Sequence, residues 1–174
     1  MGWEGRFLLF LQDHVRSPVL DKIMQFITSL GDAGLIAIAA CIVLLCIRSY
    51  RQAGFTASLS LILDFVAVNL VLKNLFARVR PYEVFAGLEL ITRRPSDFSF
   101  PSGHAGACFA VASAMFLCLP KKAGIPALAA AALISFSRLY VGVHYPTDVL
   151  GGMLVGCVTG WAAWMLVNRK QKKE

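Results

Sequence analysis

Five long apolar stretches, near residues 33–47, 53–72, 103–119, 123–143 and 149–167, constrain this chain more than any other feature. Each approaches the roughly 20 helical residues that cross a hydrocarbon core of about 30 Å. Within such a core only an element that satisfies its own backbone hydrogen bonds is stable, which selects the helix. The spacing therefore predicts an all-α, polytopic transmembrane helix bundle forming one integral-membrane domain over residues 1–174. A sixth span is expected within 5–30, where Asp13, Arg16, Pro18, Asp21 and Lys22 interrupt the apolar content. That segment would begin as an interfacial helix and cross only from about Ile23, giving about six spans in all. A mean hydropathy of +0.67 is too high for an ordinary soluble domain. The first apolar stretch, residues 7–11, is too short and too soon followed by charges for a cleavable leader to be expected.

Charge then sets partners and orientation. The 17 Lys and Arg against 10 Asp and Glu are dispersed between apolar spans rather than gathered on one polar face, so no nucleic-acid partner is expected. Arg48 with Arg51, Lys121 with Lys122, and the tail of Arg169, Lys170, Lys172 and Lys173 fall at alternate ends of successive spans. By the positive-inside rule those ends, and with them both termini, are cytoplasmic in a cell membrane. The loops around Gly31–Asp32, 73–101 and 138–148 then face the other side. Two of them carry cations against the rule, which ties those cations to a function. The long non-spanning stretch Pro81–Phe100 mixes aromatics with charges and reads as an interfacial connecting loop or a headgroup gate. The five cysteines show no metal or disulfide spacing and read as packing residues.

Three constellations fall on the non-cytoplasmic side. Lys73 and Arg80, seven residues apart at a span end, would project from one side of a helix that Pro81 stops. Ser102 opens the next apolar run as a plausible N-cap, so Gly103 and the first free N–H groups offer an anion site, with His104 beside it as a proton donor. Arg138 closes the following span. His144 comes next, and Asp148 one helical turn later can accept the Nδ1 proton and leave Nε2 free as a nucleophile. A His braced by a carboxylate also occurs at metal sites, but His104 is the only other imidazole nearby and the surrounding cations repel a metal. No metal and no cofactor is expected. Three cations, a helix N-terminus and two histidines at one depth describe a phosphate cradle with a nucleophile and an acid.

In order and spacing, Lys73-x6-Arg80-Pro81, Pro101-Ser102-Gly103-His104 and Ser137-Arg138-x5-His144-x3-Asp148 resemble the signature of the type 2 phosphatidic acid phosphatase superfamily, over about the last two-thirds of the chain. The resemblance implies that Lys73, Arg80, Ser102, Gly103 and Arg138 hold the phosphoryl oxygens. It implies further that His144 attacks phosphorus, that Asp148 orients it, and that His104 protonates the leaving lipid hydroxyl, with no metal involved. Soluble vanadium haloperoxidases share these motifs, but a chain made mostly of spans offers that reading little support. The expected substrate is a membrane lipid phosphate such as phosphatidylglycerophosphate, phosphatidate or undecaprenyl diphosphate. A non-catalytic lipid-phosphate binding or transport protein would use the same cations, yet binding alone has no need of His144 with Asp148. Asp64, in mid-span, requires a partner or a proton and is expected to make an interhelical structural contact, with a proton-relay or substrate-channel role as the alternative.

Overall fold

The computed structural model describes residues 2–171, with side chains described as far as Asn168. Lys172 and Lys173 of the basic tail, and the side chains of Arg169 and Lys170, lie outside the described residues. Every regular element described is helical. Helix α1 runs Trp3–His14, and α2 runs Pro18–Leu30 with Pro18 in its first turn and Ser17 capping it through the N–H of Leu20. A turn at residues 31–34, with Ala33 and Gly34 in the left-handed region, leads into α3, Leu35–Cys46. Helix α4, Arg51–Phe65, widens into a π-helical stretch, Val66–Leu72, before α5, Lys73–Phe76. The one-turn α6, Pro81–Val84, opens the irregular segment that reaches α7, Gly103–Cys118. Helices α8, Lys121–Tyr140, and α9, Pro146–Gln171, complete the chain.

Helix α7 is the hub, packed between α4, α8 and α9. Its closest approach is to α9, where Gly152, Gly156 and Gly160 form a stripe of every fourth residue. A Cβ at Gly152 would lie 2.4 Å from the carbonyl oxygen of Ser102, and one at Gly156 would lie 2.4 Å from that of Gly106. Small residues that admit a neighbouring backbone are how helices gain van der Waals contact where lipid removes the hydrophobic drive to associate. The outer surface is apolar, with Ile42, Leu70, Leu154 and Leu166 all exposed, as a lipid-facing belt requires.

By length and composition three segments can cross a membrane: Arg48–Val84, Lys121–Tyr140 and Pro146–Asn168. A fourth is possible if α2 and α3, which meet at 46°, count as one bent span. Helix α7 has only 16 residues, but it is enclosed by other helices. The expected six spans are thus not reached by these criteria: α7 falls short of them in length, and the other difference lies at the N-terminus. Residues 5–30 do not form a separate crossing. Arg16, just before α2, donates to the carbonyl oxygen of Tyr140 at 2.7 Å, and Thr28, near the end of α2, accepts from Arg138 at 2.6 Å. Both ends of α2 therefore touch the last turn of α8. Glu4 of α1 accepts from Thr147 at the start of α9. Both helices lie across the end of the bundle that holds the histidines, because the polar residues that interrupt 5–30 find partners there and not in lipid. The opposite end carries Arg48, Arg51, Lys121 and Lys122, and a Gln52–Asn168 hydrogen bond of 3.0 Å ties α4 to α9 there. The expectation that the N-terminal segment shares the basic end is corrected accordingly.

Asp64 packs its carboxyl on α7, where a Cβ at Gly106 would meet Oδ1 at 2.7 Å, but Oδ1 has no hydrogen-bond partner. Asp64 thus packs between helices, and it also lines the cavity that holds His104 and His144, as the alternative of a channel role would have it.

Candidate active site

Helix α5 ends not at Pro81 but at Ala77, whose left-handed backbone (φ 42°) turns the chain, so residues 77–80 are not helical. Lys73 and Arg80 therefore do not share a helical face as their spacing suggested. They converge instead through Asp97, which lies in the segment between Pro81 and Phe100. Lys73 Nζ pairs with Asp97 Oδ2, and Arg80 Nη2 donates to Asp97 Oδ1 at 2.6 Å. Arg80 is further fixed by the carbonyl oxygens of Asp97 and Val143, at 2.8 and 2.9 Å. Arg138, in the last turn of α8, has Nη1 on Thr28, while its buried Nε has no partner.

The histidines stand on either side of these cations. His104, second residue of α7, places Nε2 3.0 Å from Asp32 Oδ1 and presses its ring edge on Gly31, where even a Cβ would lie 2.5 Å from Cδ2. His144, in the turn before α9, is 1% exposed, and its Nε2 lies 3.5 Å from Arg80 Nη1. Its Nδ1 lies 3.5 Å from Asp148 Oδ2, a contact too long for a hydrogen bond, so Nδ1 is unpaired. Asp148 is engaged by other donors: Ser99 Oγ at 2.5 Å and the Tyr145 N–H at 2.9 Å on Oδ2, and Arg78 Nη1 at 2.6 Å on Oδ1.

A cavity of about 1080 Å³ joins these groups. Lys73, Arg80, Gly103, His104, Arg138 and His144 all reach its wall, which continues along Ile38, Leu61, Ile62 and Phe65. Ser102 and Asp148 do not reach it. Ser102 is wholly buried, with Oγ capping the Ala105 N–H of α7 and its own N–H on the Asp148 carbonyl oxygen at 2.9 Å. Its place is to start the helix that carries Gly103 and His104. Gly103 is open towards the cations: a Cβ there would lie 3.7 Å from Lys73 Nζ.

The electrostatics follow from this crowding. Burial alone would raise the Asp97 carboxyl, but Lys73 and Arg80 override it and bring it down to about 2. Burial holds the imidazole of His144 well below its ordinary 6.5; Asp148 opposes this, while Arg80 and Arg138 add to it. His144 is therefore neutral at neutral pH, and Nε2 can carry a lone pair towards the cavity. Three fixed cations, an unprotonated imidazole and a second imidazole on a carboxylate can bind a tetrahedral anion and act on it. Several of the groups that build this site were not singled out in the sequence. Asp97, Asp32, Ser99 and Glu4 stand outside the three motifs, and Arg78 occupies one of the six variable positions between Lys73 and Arg80.

Comparison with known proteins agrees with this geometry. Residues 53–172 match the PAP2 superfamily. An undecaprenyl-diphosphatase of Sulfolobus acidocaldarius is 33% identical over 161 residues, covering 92% of this chain and 76% of that protein. Among solved structures, LpxE of Aquifex aeolicus superposes with a TM-score of 0.83 at 25% identity, covering 95% of this chain and 96% of that one. A transmembrane PAP2-type phosphatidylglycerolphosphate phosphatase from Bacillus subtilis superposes with a TM-score of 0.73 at 29% identity, covering 98% and 85%. With the cradle, the two histidines and the apolar bundle already in place, these matches identify the chain as a member of the PAP2 superfamily of membrane lipid phosphatases.

Proposed function

We propose that this protein hydrolyses a membrane lipid phosphate monoester or diphosphate through a covalent phosphohistidine on His144. The observation that carries the reading is one cavity whose wall holds both histidines with Lys73, Arg80 and Arg138 and continues along Ile38, Leu61, Ile62 and Phe65. The phosphoryl oxygens lie among Lys73, Arg80, Arg138 and the N–H groups at Gly103, with Ser102 holding that helix start in place. His144 Nε2 attacks phosphorus and the bond from phosphorus to the leaving oxygen breaks. His104, paired with Asp32, takes up a proton as the anionic phosphate binds and gives it to that oxygen, which departs as the lipid alcohol or lipid monophosphate. Water, deprotonated by His104, then attacks the phosphohistidine and releases orthophosphate. The fixed cations balance the charge of the transition state, so no metal or other cofactor enters the scheme.

Undecaprenyl diphosphate and phosphatidylglycerophosphate are the substrates that the names of two similar proteins suggest, and phosphatidate shares their chemistry. Tails stay in the bilayer and reach the cavity laterally, between helices. The cavity end faces the non-cytoplasmic side of the cell membrane, because Arg48, Arg51, Lys121 and Lys122 collect at the other end. Helix α1 shares the cavity side through Glu4 and Thr147, so the proposal places the N-terminal segment on the non-cytoplasmic side, away from the basic end.

Purified protein in detergent, offered a panel of these lipids, tests the reading. Wild type should release phosphate and be indifferent to chelator. His104→Ala should lose about 10²–10⁴-fold, the usual worth of a positioned acid, and His144→Ala should lose at least as much. Chelator sensitivity, or turnover that survives His144→Ala, would overturn the mechanism.

A further inference from the structure

Asp148 has no exposed surface, and the imidazole beside it is neutral in the resting site. A buried carboxylate left without a countercharge is strongly unfavourable. The cradle cations do not supply one, since Lys73 and Arg80 are taken by Asp97 and Arg138 lies on Thr28. The countercharge comes from Arg78, in the extended stretch after α5. Its Nη1 donates to Asp148 Oδ1 at 2.6 Å and to Thr147 Oγ1 at 2.7 Å, and its Nη2 donates to Glu4 Oε2 at 2.7 Å. The guanidinium lies 3.9 Å from the centroid of the Tyr145 ring. Glu4 in turn accepts from the N–H and the Oγ1 of Thr147, at 3.1 and 2.7 Å, so α1 holds the first turn of α9 and Arg78 together. Arg78 is not on the cavity wall and touches no group there that could meet a phosphate.

We propose that Arg78, anchored by Glu4, is a positioning residue for the nucleophile: it takes the charge of Asp148 in the resting state and fixes the carboxylate so that Oδ2 faces His144. This rests on the reading of His144 as nucleophile. Four groups from three separate stretches of chain then act in a row, Glu4 on Arg78, Arg78 on Asp148, and Asp148 on His144. The groups facing His144 are Asp148 from α9, Arg80 from the segment before α6 and Arg138 from α8, with His104 of α7 and Lys73 of α5 on the same cavity. Those facing Asp148 are Arg78, Ser99, the Tyr145 N–H and His144. Removing Arg78 leaves His144 as the only titratable partner that can neutralise Asp148. The imidazole would then take up a proton, and Nε2 would lose its lone pair. Residues 1–52 lie outside the matched family region, so on this account α1 belongs to the catalytic unit through a contact that the three motifs do not contain.

The test uses the full chain in detergent micelles with ¹⁵N-labelled histidine, of which there are three, the His144 signals being assigned with His144→Gln. Arg78→Gln should raise the titration midpoint of His144 and carry the acid limb of the kcat profile upward with it. It should lower kcat by about 10–100-fold, the usual cost of losing a group that orients a functional histidine, with KM little changed. Arg78→Lys, which keeps the charge but not the fork, should leave the midpoint near that of wild type and restore part of kcat. Glu4→Gln should lower kcat without raising the midpoint. A midpoint and an acid limb unmoved in Arg78→Gln would overturn the proposal and make Arg78 a fold contact only. If Arg78→Gln does not fold, Arg78→Lys decides, because a kcat equal to that of wild type excludes a positioning role for the fork. A wild type that turns over none of the lipids would sink the phosphatase reading instead, while the histidine titration would still decide whether Arg78 controls His144.

Discussion

Asp97 holds two of the three cradle cations, one on each carboxylate oxygen, while staying half exposed at the cavity wall. A phosphoryl group that seeks Lys73 and Arg80 must compete with it. The competition persists across the working pH range, because the carboxyl titrates at about 2, below its ordinary 3.8. By sign, a depressed carboxyl contributes stability that is complete above its ordinary value and is lost only as pH falls through the lower one. Asp97→Asn should therefore make orthophosphate a tighter inhibitor, by roughly 2- to 30-fold if each of the two partly exposed pairs is worth about 0.2–1 kcal/mol. That gain should be the same at about pH 5 and about pH 8. An inhibition constant that stays put or weakens would mean that Asp97 helps to hold the cations for phosphate rather than competing for them. The cradle residues themselves were legible from spacing, but Asp97 was not. Nothing in a loop of mixed charge marks which carboxylate will fold back onto the cations.

The elements owe their placement to small residues and to breaks. The α7–α9 seam has backbone on both sides at Gly156, so no flexible side chain can yield to a methyl group. Gly156→Ala should cost about 1–3 kcal/mol by overpacking and should lower phosphate release by displacing the helix start that carries Gly103 and His104. Gly87→Ala, where a Cβ meets nothing within 4 Å, should do neither. A Gly156→Ala protein with an unchanged unfolding midpoint in detergent would contradict this account of the seam. Of the expected spans, those near 123–143 and 149–167 correspond to α8 and α9, and the stretch near 53–72 to α4 with its π-helical extension. Periodicity could not show that the last of these ends at Ala77, four residues before the proline. A left-handed alanine has no local cause in the sequence and is held by what surrounds it.

For the molecule as a whole the open quantity is orientation. If the cavity faces outward, an impermeant maleimide should label Ser96→Cys in intact cells, at the exposed edge of the segment over the cavity, and Lys122→Cys only after permeabilisation. Gly2→Cys should follow Ser96→Cys, since Glu4 bonds to Thr147 at the same end. Labelling of Gly2→Cys together with Lys122→Cys would restore the even-numbered topology that hydropathy suggested, and the reversed pattern for Ser96 and Lys122 would place the cavity inside the cell.

Long apolar runs and charge alternation settled by themselves that this chain is a helical membrane protein, because lipid leaves a backbone few ways to satisfy its hydrogen bonds. Motif spacing likewise pointed to two histidines and three cations that the fold brings to one cavity wall. What only the tertiary structure decided is how those groups are held. The roles of Asp97 against the cradle, Asp32 against His104, and Glu4 and Arg78 behind Asp148 arise from ion pairs between residues as many as 74 positions apart in the chain. Ion pairs at such separations have no periodicity to announce them, and they form only where packing brings two charges to one buried place.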